Sequence, residues 1–244
     1  MHEREIPVGG GDRFREAIEA WDARLDDAEA LRAATLLEAL ARDARADADA
    51  WAWCARAYYY LADYHPSERG RRRLFETGAK HGKKALALAP EHVGALFWSA
   101  CCLGSAAEAL GPLRRASHAP EVAGYLKKIL ELEPGYYYLG LARFVGQALI
   151  RQPGIVTKLI SVAMPSIGPA SVQQMLRTSI AQHPPLVLNY QTLGQLAWIE
   201  RRDRATVREM REAVEKLDLD AEPLLAPENH RDRPRALRIL DELR

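Results

Sequence analysis

Three short stretches decide the fold: "KKALALAPEH" at residues 83–92, "KKILELEPGY" at residues 127–136 and "RTSIAQHPPL" at residues 177–186. Each is the tail of a helix with apolar residues at three and four spacings. Each is stopped by a proline, at Pro90, Pro134 and Pro184. Proline has no amide donor and its ring collides with the preceding turn, so the helix cannot run on. After each stop comes a helix of another kind, rich in large apolar and small residues together: "VGALFWSACCLGSAAEAL", "YYLGLARFVGQALI" and "VLNYQTLGQLAWIE". The aromatic-rich "AWAWCARAYYYLADY" at residues 50–64 is the same kind of helix. "AATLLEALARDARADADAW" leads into it, with Arg45 where the proline would stand.

The rest of the chain reads the same way. Phe14, Ile18, Trp21 and Leu25 form one stripe; Ala33, Leu36, Leu37, Leu40 and Ala44 form the next. Val207, Met210, Val214 and Leu217 repeat the pattern, and Leu237, Leu240 and Leu243 close it. Side chains three and four apart share a helix face. No stretch alternates with period two for long, so the expected class is all-α. Asp within "LDD" at residues 25–27 reads as the N-cap of a helix connection.

The order of residues within these pairs matches the tetratricopeptide pattern, Trp-x2-Leu-Gly-x2-Tyr, then Ala-x3-Phe, then Pro. Trp51, Cys54, Ala55 and Tyr58 fill the first cluster, and Gly78, Gly82, Ala85 and Pro90 the second-helix slots. Leu96, Ser99, Ala100 and Leu103, then Val122, Leu126, Ile129 and Pro134, make the next unit. Tyr190, Leu193, Gly194 and Ala197, then Ala205, Met210 and Ala213, make a later one. Small residues let two antiparallel helices approach; large ones fill the seams between pairs. The expectation is a single α-solenoid over residues 1–244, with about five pairs, a C-terminal capping helix and a flexible lead-in at residues 1–11. The spacing is long: 44 residues separate Pro90 from Pro134 and 50 separate Pro134 from Pro184, against about 34 in the common repeat. The extra residues fall in "HPSERGRRRLF", "ALGPLRRASHAP" and "RQPGIVTKLISVAMPSIGP", between first and second helices.

With "ALALAPEHVGALFWSA", "YLKKILELEPGYYYLGLARFVGQAL" and "APENHRDRPRALRILDEL", this arrangement resembles the TRAP transporter T-component (TatT) family over roughly residues 25–244. That resemblance implies a bacterial periplasmic accessory subunit of tetratricopeptide-like helix pairs, which binds a small organic solute and hands it to a partner protein. Family members commonly carry an N-terminal lipoprotein signal; "MHEREIPVGGG" shows no apolar h-region. The chain as given therefore reads as cytoplasmic, or as periplasmic if it is a processed form.

Repeat geometry sorts the rings. Trp51, Ala55, Tyr58 and Ala62 take the seam. Trp53, Arg56, Tyr59 and Tyr60 are rotated towards the concave side, with Ala52 among them. By the same phase Phe97, Trp98 and Cys101 follow, then Tyr138, Leu141 and Val145, then Gln191, Gln195 and Trp198. Arg56 is the one charged residue of this set. The set reads as a tunnel or groove for an apolar or amphipathic small molecule, with Arg56 placed to pair with a carboxylate. Inserted segments folding over the groove would turn the same rings into ordinary core.

Composition narrows the function classes. The chain is 48% hydrophobic, and 34 basic residues face 33 acidic ones for a net charge of +1. That balance gives no nucleic-acid footprint, and no apolar run reaches the roughly 20 residues that span a bilayer. The runs "RGRRRLF" and "RRDR" read as solvated helix faces. Cys54, Cys101 and Cys102 read as buried thiols, not a disulfide framework. "VGGGD" follows no strand, and nucleotide-binding, hydrolase and zinc signatures are missing. His92 and His183 flank the prolines and read as cap or turn residues. The expected role is non-catalytic, with no cofactor and no metal. It has a protein partner and a small organic ligand in that groove, and self-association is left open. The alternative is a cytoplasmic scaffold that binds protein segments through the same surface.

Overall fold

The computed structural model describes residues 11–43, 48–108, 112–151, 162–183 and 185–243. Residues 1–10 of the lead-in at 1–11, Arg45, Pro184 and residues 154–161 of the apolar insertion lie outside them; Gly11, the last lead-in residue, begins a helix. The described residues are helical throughout, with eleven helices and no strand. They are α1 (Gly11–Asp22), α2 (Asp27–Arg42), α3 (Ala48–Asp63), α4 (Glu68–Leu88), α5 (Val93–Glu108), α6 (Pro112–Leu132), α7 (Tyr136–Arg151), α8 (Pro169–Gln182), α9 (Val187–Arg201), α10 (Arg204–Lys216) and α11 (Ala226–Glu242). In chain order they fit five pairs and a closing helix, and contacts join α1 to α2, α3 to α4, α5 to α6 and α9 to α10. Two compact units divide the chain, Met1–Tyr136 and Tyr137–Arg244.

In the first unit each helix packs on the next, and α3 also touches α5. That skip contact, first helix to next first helix, is the stacking of helical repeats. Phe14, Trp21, Leu37, Trp51, Cys54 and Tyr60 build its main core. Asp26 caps α2 by accepting the Ala28 N–H at 2.7 Å. Ser67 caps α4 through the Gly70 N–H. Close approach of α4 to α5 depends on Gly82: a Cβ there would lie 1.9 Å from Ser99 Oγ and 3.1 Å from Ser99 Cβ. The long repeat spacing also has its explanation here. "SERGRRRLF" and "PLRRASHAP" are not loops between helices. They lengthen the second helices, α4 and α6, to 21 residues each.

In the second unit α9 packs on α8, α10 and α11, and α10 on α11. Leu141, Val145, Leu176, Leu193, Val207, Met210 and Leu240 are buried there. Asn229 of α11 is wholly buried and clamps the start of α9. Its Oδ1 accepts the Val187 N–H at 2.9 Å and its Nδ2 donates to Pro185 O at 2.9 Å. The sequence reading runs a regular helix through "YYLGLARFVGQALI", from Tyr137 onward. In the structure Tyr137, Tyr138 and Leu139 have φ of 49°, 54° and 58°, and regular helix resumes after them. Three consecutive left-handed residues are costly for side chains with a Cβ, and a polar cluster holds them. Arg143 donates to Tyr137 O at 2.7 Å and to Tyr138 O at 3.0 Å. Ser179 Oγ donates to Tyr138 O at 2.7 Å, and Asn189 supports both Arg143 and Ser179.

Candidate functional site

The first unit contains a cleft of about 290 Å³, partly open to solvent. One helix stripe runs from its rim to its floor: Asp49, Ala52, Trp53 and Arg56 of α3 stand at zero, three, four and seven, on a single face. The loop and first turns of α5 contribute His92, Val93, Gly94 and Trp98, and the connection after α6 contributes Glu133 and Tyr136. A Cβ on Gly94 would sit 2.8 Å from Tyr136 Oη, so glycine lets that phenol reach the wall.

Arg56 is 7% exposed and is surrounded by three indoles. Its guanidinium carbon lies 5.1 Å from the Trp21 ring, 5.0 Å from Trp53 and 5.4 Å from Trp98. A guanidinium is weakly hydrated and spreads its charge over a plane, so it can lie buried against aromatic faces. Trp21 meets Trp53 edge-on at 5.8 Å, which fixes the second ring. The rim is acidic. Asp49 and Glu133 both face the cleft. His92 caps α5, with Nδ1 accepting the Ala95 N–H at 3.1 Å. That bond assigns the proton to Nε2, which then donates to Asp49 Oδ1 at 2.6 Å.

The sequence-derived set divides in the structure. Trp53, Arg56 and Trp98 line the cleft. Tyr60 does not: it is buried, its hydroxyl donates to Arg24 O at 3.0 Å, and its ring meets Trp21 and Tyr64. The connection between α1 and α2 draws it away. Tyr59 sits between Phe75 and Trp98, at 5.4 and 5.6 Å. Phe97 is buried behind the wall, against Trp98 at 4.9 Å and Tyr136 at 5.5 Å, and Cys101 is buried below it in α5.

In the second unit Leu141 and Val145 are core, at 1% and 0% exposure. Tyr138 faces His183 at 5.7 Å. Gln191 is buried, and its Nε2 donates to Gln195 Oε1 at 3.1 Å. Gln147 bridges Thr192 and Gln195. The Trp198 ring lies under Arg202 at 4.8 Å and Arg204 at 5.9 Å.

Residues outside the sequence-derived set complete the cleft: Asp49, His92, Val93, Gly94, Glu133 and Tyr136, with the flanking Ala52. A signal for them existed. Asp49 shares the face of Trp53 and Arg56, and "PEH" and "EPGY" recur at the same end of successive first helices.

Comparisons with known proteins fit this architecture. The sequence profile of the family described as "Regulator of microtubule dynamics protein 1-3" matches residues 17–141. No curated protein sequence matches the chain. Among solved structures, a thermophilic TPR protein from Thermus thermophilus is similar, with a TM-score of 0.59 and 18% identity over 93% of this chain and 97% of that one. At that identity the likeness speaks for the fold alone.

Proposed function

This chain belongs to the regulator of microtubule dynamics protein 1-3 family, and from that premise we propose that it is a non-catalytic protein-interaction scaffold. Its first unit takes a partner segment into the Trp53–Arg56–Trp98 cleft. The observation that carries the proposal is the build of that cleft: an indole and guanidinium floor, open to solvent, under a rim bearing Asp49 and Glu133. Interface anchors are typically aromatic or long aliphatic side chains seated in such pockets. Here the rings receive the anchor, and the two rim carboxylates accept from main-chain N–H groups or a basic neighbour. The family description concerns microtubule dynamics, so polymerised tubulin is the first protein surface to offer.

The resemblance to the TatT family supplies a second reading, a carrier for a small amphipathic acid whose carboxylate pairs with Arg56. The buried guanidinium favours it. The volume weighs the other way: about 290 Å³ is at the floor of the roughly 300–1,000 Å³ range of small-molecule sites, and the cleft is partly open.

A displayed library of short random peptides, selected on the purified protein, tests the proposal. Enriched peptides should share one aromatic or aliphatic anchor. They should lose at least about tenfold in affinity on Trp53→Ala or Trp98→Ala, the scale of a modest hot spot, with the circular dichroism spectrum unchanged. Equal affinity for well-folded variants would refute the site. A stoichiometric small molecule released in native mass spectrometry would favour the carrier.

A further inference from the structure

Positive charge in this chain is concentrated on one helix. α4 holds Arg69, Arg71, Arg72, Arg73, Lys80, Lys83 and Lys84 against only Glu68 and Glu76, a net of +5 in a chain whose total is +1. Five of the seven cations share one side of it. Arg69, Arg72, Arg73, Glu76, Lys80 and Lys83 fall at zero, three, four, seven, eleven and fourteen, which is one face. The opposite face, with Phe75, Gly78, Ala79, Gly82 and Ala85, is buried against neighbouring helices.

Two of the face cations are neutralised, Arg72 by Glu76 at 2.8 Å and Lys83 by Glu121 of α6 at 2.8 Å. Arg69, Arg73 and Lys80 are exposed, and no carboxylate of the described residues pairs with them. Their placement runs against local stability. Arg69 to Arg73 is a like-charge pair at i,i+4. Arg69 and Arg71 stand in the first turn, where the helix macrodipole disfavours cations. A local rule broken without compensation inside the fold is a mark of function.

We propose that the Arg69–Arg73–Lys80 face of α4 binds an acidic polypeptide segment lying along the helix. The inference rests on the scaffold reading above and adds a second surface with its own partner chemistry. Arg69 to Lys80 spans about 16 Å at 1.5 Å per residue, which an extended segment of about five residues covers at roughly 3.3 Å each. Carboxylates on alternate residues of such a segment stand about 7 Å apart on one side, close to the roughly 6 Å between Arg69 and Arg73 along the axis. A polypeptide suits the face better than other polyanions. The buried apolar side of α4 leaves nothing to insert into a bilayer. The face carries no ring on which a base could stack.

The test is fluorescence anisotropy with a labelled octaglutamate peptide and the full chain, at low and physiological salt. The wild type should bind, and more weakly as salt rises. Arg69→Glu/Arg73→Glu/Lys80→Glu should lose about tenfold or more, since three exposed attractive contacts become repulsive. Its circular dichroism spectrum should stay unchanged, because all three side chains are exposed. Trp98→Ala should bind the peptide as wild type does, which separates this face from the cleft. Undiminished binding by the triple variant overturns the proposal. So does tighter binding of the wild type to a duplex oligonucleotide or to phosphatidylserine vesicles than to the peptide.

Discussion

Mild acid should destabilise the first unit through one side chain, His81. Its ring stacks on Trp51 at 5.2 Å and leans on Tyr58 at 5.1 Å. It is 4% exposed, and neither ring nitrogen has a hydrogen-bond partner. Glu38 Oε1, at 3.7 Å, is too far for a hydrogen bond. Burial pushes the imidazole down from 6.5 to about 4; Glu38 opposes the shift, and Lys84, Arg42 and Lys80 add to it. A base depressed in the folded state stays neutral there while the unfolded chain takes up a proton. Stability is therefore intact above about 6.5, falls as pH drops through that value, and stops falling below about 4. At about pH 5 the unfolded histidine is about 1.5 pH units below its midpoint, so the loss is about 2 kcal/mol at 1.36 kcal/mol per unit. Glu38 does not enter this window. Burial raises its carboxyl, but the Tyr58 hydroxyl, His81 and Arg42 more than offset that and leave it lowered. Its contribution is lost only below the ordinary carboxylate range. Urea unfolding followed at 222 nm, at about pH 7.5 and about pH 5, measures the difference. His81→Phe keeps the stacking and removes the titration. It should lose less than about 0.5 kcal/mol over that interval and be no less stable at neutral pH, since two buried nitrogens without partners are gone. A variant that loses as much as the wild type would refute the assignment to His81.

Three further outcomes follow from packing and polar clamps. Asn229→Ala leaves the buried Val187 N–H and the half-buried Pro185 carbonyl without their partner and should cost about 2 kcal/mol in urea unfolding. Arg143→Met removes the donors to the Tyr137 and Tyr138 carbonyls and should cost about 2 kcal/mol or more; hydrogen exchange should quicken at the start of α7, where the left-handed residues lie. Gly82→Ala should destabilise by about 1–2 kcal/mol despite the better helix propensity of alanine. Adding Ser99→Ala should recover part of that loss, because the nearest obstacle is Ser99 Oγ at 1.9 Å. No recovery in the double variant would show that backbone separation, not the hydroxyl, sets the cost.

The repeat class was legible because it rests on local chemistry. Prolines at Pro90 and Pro134 stop helices in the structure where the sequence places them, and of the seam residues Trp51, Ala55 and Ala62 are buried while Tyr58 is half-buried. His92 is the cap its position beside Pro90 suggests. Trp53 and Arg56 share one face of α3 by helix phase, and Trp98 joins them because α5 packs on α3.

What the sequence by itself determined is thus the helices, their stops and the stripe each one buries, all set by neighbours within a turn or two along the chain. Only the tertiary structure decided which rings stay at a surface. Tyr60 is lost to the Arg24 carbonyl, 36 residues away; His92 meets Asp49 across 43; Tyr137 to Leu139 leave the right-handed helix where Arg143, Ser179 and Asn189 converge on their carbonyls. Such choices depend on which distant groups satisfy a buried donor, acceptor or charge, and periodicity holds no record of that distance.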